Sequence, residues 1–299
     1  MTTRLRQAAP ILVMSLAGAA AGQQAEPKMP AGDVAPPPEA GGTPDGTNRS
    51  VVSDWTVEIN PRLWWVSPSG DIRFPGGSSK VDVEELNLDT PEFTPAGSIA
   101  INAGDFRFQF LGASYSRDAE FFVAAPLAVG SISLLPSAES SASIDFGIYD
   151  VSIAYRVLQR DFKTHSGPSQ ENADFVLDLY ALGGARLYDL NIDVSQTGTG
   201  SASVDEFFIE PIIGVRSELA IIRDFTVNLQ LDGGGFGDSD RSSFSFNISV
   251  DFQWRPVPWF AAQIGWRQVV YSFADGQDLS KFEYEGGMAG LFAGVVFRF

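Results

Sequence analysis

The chain of 299 residues contains no cysteine, one histidine (His165) and only four lysines, Lys28, Lys80, Lys163 and Lys281. Without cysteine there is no lipid-acylation site, no disulfide framework and no thiolate metal site. A single histidine excludes mechanisms that need two, among them His-pair metal centres and the zincin arrangement. The formal charge of −17 opposes nucleic-acid binding, because phosphate contacts need clustered Lys and Arg. Nor does any run after the first two dozen residues approach the ~20 apolar residues that a membrane helix requires. If this chain crosses a membrane, it crosses with strands.

Both ends carry signals. Arg4 and Arg6 precede the apolar stretch from Ala8 to Ala17, and Ala19-Ala20-Ala21-Gly22 supplies small residues for cleavage. Residues 1–22 therefore read as a secretory signal peptide. Residues 23–50, rich in Pro, Gly and Ala and containing Pro36-Pro37-Pro38, read as a flexible linker. That leaves 51–299 for the folded unit. Its last ten residues, Gly-Leu-Phe-Ala-Gly-Val-Val-Phe-Arg-Phe, form an alternating apolar strand that ends on Phe299. A closed barrel pairs its last strand with its first, so that no edge faces lipid.

Period-two alternation marks the strands. Phe244, Phe246, Ile248, Val250, Phe252 and Trp254 share one face, and Ser245, Asn247, Ser249, Asp251, Gln253 and Arg255 the other. The same pattern gives about ten strands, near 54–66, 97–104, 106–117, 142–158, 174–192, 206–221, 224–233, 243–255, 258–272 and 282–299. The expected fold is all-β, a transmembrane antiparallel up-and-down β-barrel of about ten strands, with eight to twelve open. Extended pieces at Lys80 to Leu86 and Val129 to Leu135 would supply the extra hairpins of a twelve-strand version. Connections alternate in length. Gly104-Asp105, Ile222-Arg223 and the turn at Pro256 are short, whereas 67–96, 118–141, 193–205, 234–242 and 273–281 are long. Residues 159–173 form a long connection on the short side. Short turns belong to the periplasm, which puts both termini there. Pro61 and Pro211 fall inside strands and predict bulges near the rim. The alternation also slips by one residue at Ile148-Tyr149, consistent with a further bulge or an over-long strand.

Several runs resemble motifs of a widespread, poorly characterised family of Gram-negative outer-membrane β-barrel proteins. The run Trp55 to Trp65 is similar to the family's first strand. Ala181 to Tyr188, Glu210 to Arg216, Asp232 to Gly237 and Gly265-Trp266-Arg267 follow in the family's order. Trp266 replaces the usual Tyr, and Asp238 stands where Gly often follows. The resemblance implies an outer-membrane barrel and supplies no enzymatic role.

Chemical motifs are sparse. His165 could serve a Ser-His-Asp set, but it lies beside Lys163, Ser166, Gly167 and Pro168 in the periplasmic connection and reads better as a solvated loop residue. Gly233 to Gly237 lacks the Gly-Lys-Ser/Thr ending of a phosphate loop, so tight backbone packing explains it better. Asp238 and Asp240, or Asp82, Glu84, Glu85 and Asp89, could meet Ca²⁺, yet neither group has EF-hand spacing and solvated acidic loops are the simpler reading. No catalytic residue, metal site or cofactor is expected.

The interior is more specific. On the polar faces stand Glu58, Asp150, Asp178, Glu210, Glu218, Asp232 and Asp251, matched by Arg62, Arg107, Arg156, Arg186, Arg216, Arg255 and Arg267. Glu58, Arg62, Asp178, Arg186, Glu210, Arg216, Asp232, Asp251 and Arg267 are the candidate lumen network or solute path. Arg62, Arg186, Arg216 and Arg267 are expected to pair with Glu58, Asp178, Glu210 and Asp251 in some combination. Ten strands enclose far less space than the 16–18 that leave an aqueous channel. The sequence therefore predicts a non-enzymatic bacterial outer-membrane barrel with a mostly plugged, charged lumen and a structural or surface-contact role. A narrow solute channel is the alternative. The expected partners are outer-membrane lipid and, through the C-terminal strand, the barrel assembly machinery; oligomeric state stays open.

Overall fold

The computed structural model describes residues 55–136, 138–163, 174–222 and 224–299. The expected signal peptide, the linker and His165 lie outside the described residues. In chain order the strands are β1 (Trp55–Arg73), β2 (Val81–Asp82), β3 (Glu92–Ala103), β4 (Phe106–Phe121), β5 (Leu127–Val129), β6 (Ile132–Leu134), β7 (Ser140–Lys163), β8 (Asp174–Gln196), β9 (Gly200–Ile222), β10 (Phe225–Gly237), β11 (Arg241–Val257), β12 (Phe260–Asp275) and β13 (Phe282–Arg298). β1, β3, β4 and β7 to β13 pair antiparallel with their neighbours, and β13 returns to β1, closing a ring of ten strands. The closing ladder runs from Arg73↔Glu283 to Glu58↔Arg298. Phe299 completes it, exchanging backbone hydrogen bonds of 3.0 and 2.9 Å with Val57. β2 touches only the end of β1, and β5 and β6 pair only with each other, so neither extra hairpin enlarges the ring.

Most of the ten strands run further toward the long connections than the alternation indicates. Residues 67–73, 118–121, 193–196, 200–205, 234–237, 241–242 and 273–275 are strand, not loop. On the opposite side 159–163 continue β7 and pair with β8. The third short turn lies at Pro258-Trp259, with Pro256 inside β11.

The reason is an inversion of polarity along the barrel. On β1 the outward row reads Trp55, Val57, Ile59, Pro61, Leu63, Trp65, then Ser67, Ser69, Asp71; the inward row reads Thr56, Glu58, Asn60, Arg62, then Trp64, Val66, Pro68, Ile72. Across one level, apolar outside and polar inside become polar outside and apolar inside. β9 repeats it, with Ser201, Ser203 and Asp205 facing out before Phe207, Ile209, Ile213 and Val215. On β7, Ile144, Phe146 and Ile148 are buried while Val151 and Ile153 are each 50% exposed. The ladders on both sides of β7 stay in register through this point. The slip at Ile148-Tyr149 is therefore neither a bulge nor an over-long strand, but the place where the apolar set changes faces.

Strand length agrees. A bilayer needs about 9–11 tilted residues per strand, and β7, β8 and β9 have 24, 23 and 23. The surplus builds a second storey. There the interior is aromatic: Phe208 and Phe273 stack at 4.7 Å, Tyr188 meets Phe273 at 4.6 Å, and Phe146 meets Tyr271 edge-on at 5.1 Å. The first long connection folds into the same core, burying Val81, Val83, Leu86 and Leu88. Val129 and Leu134 of the β5–β6 hairpin join it.

This storey is not a closed ring. The β9–β10 ladder stops at Ile212↔Gly234, and the β3–β4 ladder at Ala96↔Ala113. Arg241 bridges the first seam, reaching Glu206 at 3.3 Å and the Phe207 carbonyl, with its guanidinium 4.6 Å from the Phe208 ring. Tyr115 and Arg117 of β4 close the second by donating to the Leu88, Thr90 and Asn87 carbonyls. The prolines sit at interruptions that cost no register. Pro211 follows the last β9–β10 pair. At Pro61 the β1–β13 ladder skips two residues and resumes in phase, so the expected bulges are absent from both sites. Gly234 is required here, because a Cβ would lie 2.1 Å from the Pro211 carbonyl oxygen.

Candidate functional site

The polar storey of the lumen holds the candidate residues, each delivered by the inward parity of its strand. Arg186 on β8 is the centre. Its Nε donates to Asp150 at 2.6 Å, its Nη2 to Asp232 at 2.6 Å and its Nη1 to Ser245 at 2.9 Å. Arg267 donates to the second Asp150 oxygen at 2.8 Å and to Asn247 at 2.8 Å. Asn247 and Gln230 complete Asp232 at 2.7 and 2.8 Å. The result is an alternating chain, Arg267–Asp150–Arg186–Asp232, of charge-assisted bonds. It lies directly beneath the aromatic core, where Arg267 sits 5.6 Å from the Trp64 ring centre.

Glu210 is fully buried, yet it takes no arginine among the described residues. It accepts from Tyr188 at 3.3 Å, from Ser243 at 3.1 Å and from Ser245. Nearer the short turns, Glu58 accepts from Arg107 at 2.9 Å and from Arg298 at 2.8 Å, locking the first strand to the last. Arg216 pairs with Glu218 at 2.8 Å. Asp178 stands 3.7 Å from Arg156. Asp251 accepts from Asn228 at 2.7 Å and Gln253 at 3.3 Å. Arg62 donates to Ser98 at 3.1 Å and faces the Phe292 ring.

All nine candidate residues therefore face the interior, and the expected partner set is corrected. None of the four named arginines pairs with the four named acids among the described residues. Arg186 takes Asp150 and Asp232 instead, and Glu58 takes Arg107 and Arg298. Asp150 and Arg298 stand directly opposite Arg186 and Glu58 on neighbouring strands, a register that alternation does not encode. Arg186–Asp232 and Arg267–Asp150 instead join strands that are not neighbours, at heights set by tilt. Ser245, Asn247 and Tyr188 were missed as network members. The first two belong to the polar row of β11, but neutral residues in such a row give no sign of which charge they serve.

Two neighbouring spaces follow the network. A vestibule of about 240 Å³ opens among the short-turn ends of the strands, lined by Asp178, Glu218, Arg255 and Arg298. Glu58, Arg216, Asn228 and Gln253 line both this vestibule and a second cavity of about 40 Å³ beside Arg62 and Arg267. A third void of about 10 Å³ lies among Trp64, Phe292 and Leu111, and the aromatic core stands above. Among the described residues no three acidic or histidine side chains lie together in a form that could hold a metal. The loop acids serve their own turns: Asp82 accepts the Glu84 amide at 2.8 Å, and Asp238 the Asp240 and Arg241 amides at 2.9 Å.

Outside, the apolar belt is bounded by aromatics. Trp55, Trp254, Trp259 and Phe299 are exposed at the short-turn rim. Trp65 and Phe93, stacked at 6.4 Å, and Phe207 are exposed at the level of the inversion. A closed antiparallel ring with an apolar belt, aromatic girdles and a polar interior is a membrane-spanning β-barrel. The chain is similar to the outer membrane protease OmpT from Escherichia coli, at 12% identity and a TM-score of 0.45, over 82% of this chain and 97% of that one. It is similar to the translocator domain of the autotransporter NalP from Neisseria meningitidis, at 10% identity and a TM-score of 0.33, over 85% and 91%. Neisserial surface protein A is a third, at 15% identity and 0.28, over 83% and 98%. No family model and no curated protein sequence matches the chain.

Proposed function

We propose that this is an integral barrel of the bacterial outer membrane that does not conduct, with a structural or surface-contact role carried by its loop end. The observation that carries this reading is the aromatic core, which fills the ring above the charged lumen with Phe146, Tyr188, Phe208, Tyr271, Phe273 and Tyr284 all buried. Water and ions do not cross a dry, close-packed interior. The belt supplies the contact with lipid, and the polar outer face of the loop end is the surface offered to partners. The last strand with Phe299, the residue that closes the ring, is the element the assembly machinery would read. The motifs similar to the Gram-negative outer-membrane family lie on the strands of this ring and fit the same reading. No catalysis is assigned to it. A narrow channel or carrier is the second reading, favoured by the vestibule of about 240 Å³ at the short-turn end, but it needs the core to part.

Purified barrel refolded into a planar bilayer tests this. No single-channel steps are expected, while the unboiled protein migrates apart from the boiled one in SDS. Stable steps that persist in the native chain and change their ion selectivity in Arg216→Ala would replace the plugged reading with the channel.

A further inference from the structure

Arg62 and Arg255 are lumen arginines that form no ion pair among the described residues, and Arg62 is the more deeply buried of the two. Arg107, Arg216 and Arg267 each have a carboxylate at 2.9, 2.8 and 2.8 Å. Arg62 has none among the described residues. Its Nη2 reaches Ser98 and, once the Asn60 amide is turned over, the Asn60 oxygen at 3.2 Å, both neutral; its Nε has no hydrogen-bond partner, and its guanidinium lies 4.9 Å from the Phe292 ring centre. Three guanidinium groups, Arg107, Arg216 and Arg267, share its cavity, and the carboxylates there are Glu58, Asp150 and Asp251. Asp251 is meanwhile turned to Asn228 and Gln253. A cation confined in this way is strongly disfavoured without a counterion. The adjoining cavity of about 40 Å³ has room for one.

We propose that the lumen binds one small monovalent anion, of halide size, against Arg62, as the counterion that the chain itself does not supply. The cavity admits water-sized species, so chloride or bromide fits beside the guanidinium, and gluconate, many times bulkier than a halide, is the control anion. Arginine is the right residue for the task, since its weakly hydrated fork keeps donors free after its bonds to Ser98 and Asn60.

The test compares folded barrel in detergent micelles in sodium chloride and in sodium gluconate at equal ionic strength. The temperature at which the SDS-resistant form is lost should rise with chloride along a saturating curve and stay flat in gluconate. Arg62→Gln should abolish the difference. In crystals of the native protein soaked in bromide, an anomalous peak should appear within hydrogen-bond distance of the Arg62 guanidinium. Identical curves in the two salts, an undiminished chloride effect in Arg62→Gln, or bromide found only at the outer surface would each overturn the proposal. If Arg62→Gln does not fold, the salt comparison and the bromide peak decide on the native chain alone.

Discussion

Ten strands build the belt storey of this barrel, and most of them continue into the loop-end storey under the opposite rule. In the belt storey the solvent outside is lipid, so apolar side chains face out and the interior is held by Arg267, Asp150, Arg186 and Asp232. In the loop-end storey the outward row becomes Ser67, Ser69 and Asp71 on β1 and Ser201, Ser203 and Asp205 on β9, and the interior becomes aromatic. Side-chain parity is unchanged; only the chemistry assigned to each parity is exchanged. The lesson concerns what an interior must do. A belt whose outer face is already apolar gains nothing from a second apolar face toward water, whereas a barrel wall standing in water needs a hydrophobic core like any soluble sheet.

The sharpest way to break the comparison is at Arg186. Arg186→Ala leaves Asp150 and Asp232 facing each other without their shared cation, and a loss of about 3–5 kcal/mol is expected, read as a lower urea midpoint in micelles. An unchanged midpoint would mean that water already screens the belt storey. Phe273→Ala should cost a similar amount, about 3–5 kcal/mol, through the cavity left between Tyr188, Phe208 and Tyr271. Its effect should fall on the loop end first: protease would cut the second storey while the SDS-resistant ring persists. Simultaneous loss of both would show that the storeys melt as one.

A pair on one strand and one face tests the inversion itself. Ile213 and Ser203 both point outward from β9, Ile213 being 76% exposed in the belt. Ile213→Arg should destabilise the inserted protein by roughly 2–4 kcal/mol, and Ser203→Arg by no more than about 0.5 kcal/mol. Equal effects would place the lipid boundary elsewhere. The smallest effect is one of pH. Burial and the neighbouring Asp275 carboxylate push the Glu206 carboxyl, outside the belt, up to about 7. The folded state then holds a proton that the unfolded chain has released, so stability should fall as pH rises from roughly 4.5 to 7. Glu206→Gln should flatten that slope, which urea melts across this range would reveal.

Much of the ring was legible because lipid imposes a rule on every strand. Trp55 to Leu63, Phe225 to Leu231 and Phe244 to Trp254 alternate without exception in the belt, and the last strand closes the ring on the first. The charged residues of the lumen were legible for the same reason, since a polar residue in such a row has one side to face. Their pairing was not, because Arg186 meets Asp232 across a stagger that no single strand records. The second storey was hidden for a subtler reason. Alternation reports two faces without saying which is inside, so the rows of Ser141, Ser143 and Asp145 against Ile144 and Phe146 looked like a phase error in β7.

The Thr197-Gly198-Thr199 turn stands at the tip of a strand pair that passes the inversion near Asp189. About eight tilted residues at roughly 3.3 Å each carry it some 20 Å clear of the lipid boundary. The face displayed at that height is a stiff lattice of strand-borne serines and carboxylates, not a set of wandering loops. An antibody or phage that docks there would read residues from three or four neighbouring strands at once, with little ordering entropy to lose on binding. Such an epitope exists only while the sheet does, and boiling would erase it without cutting a single peptide bond.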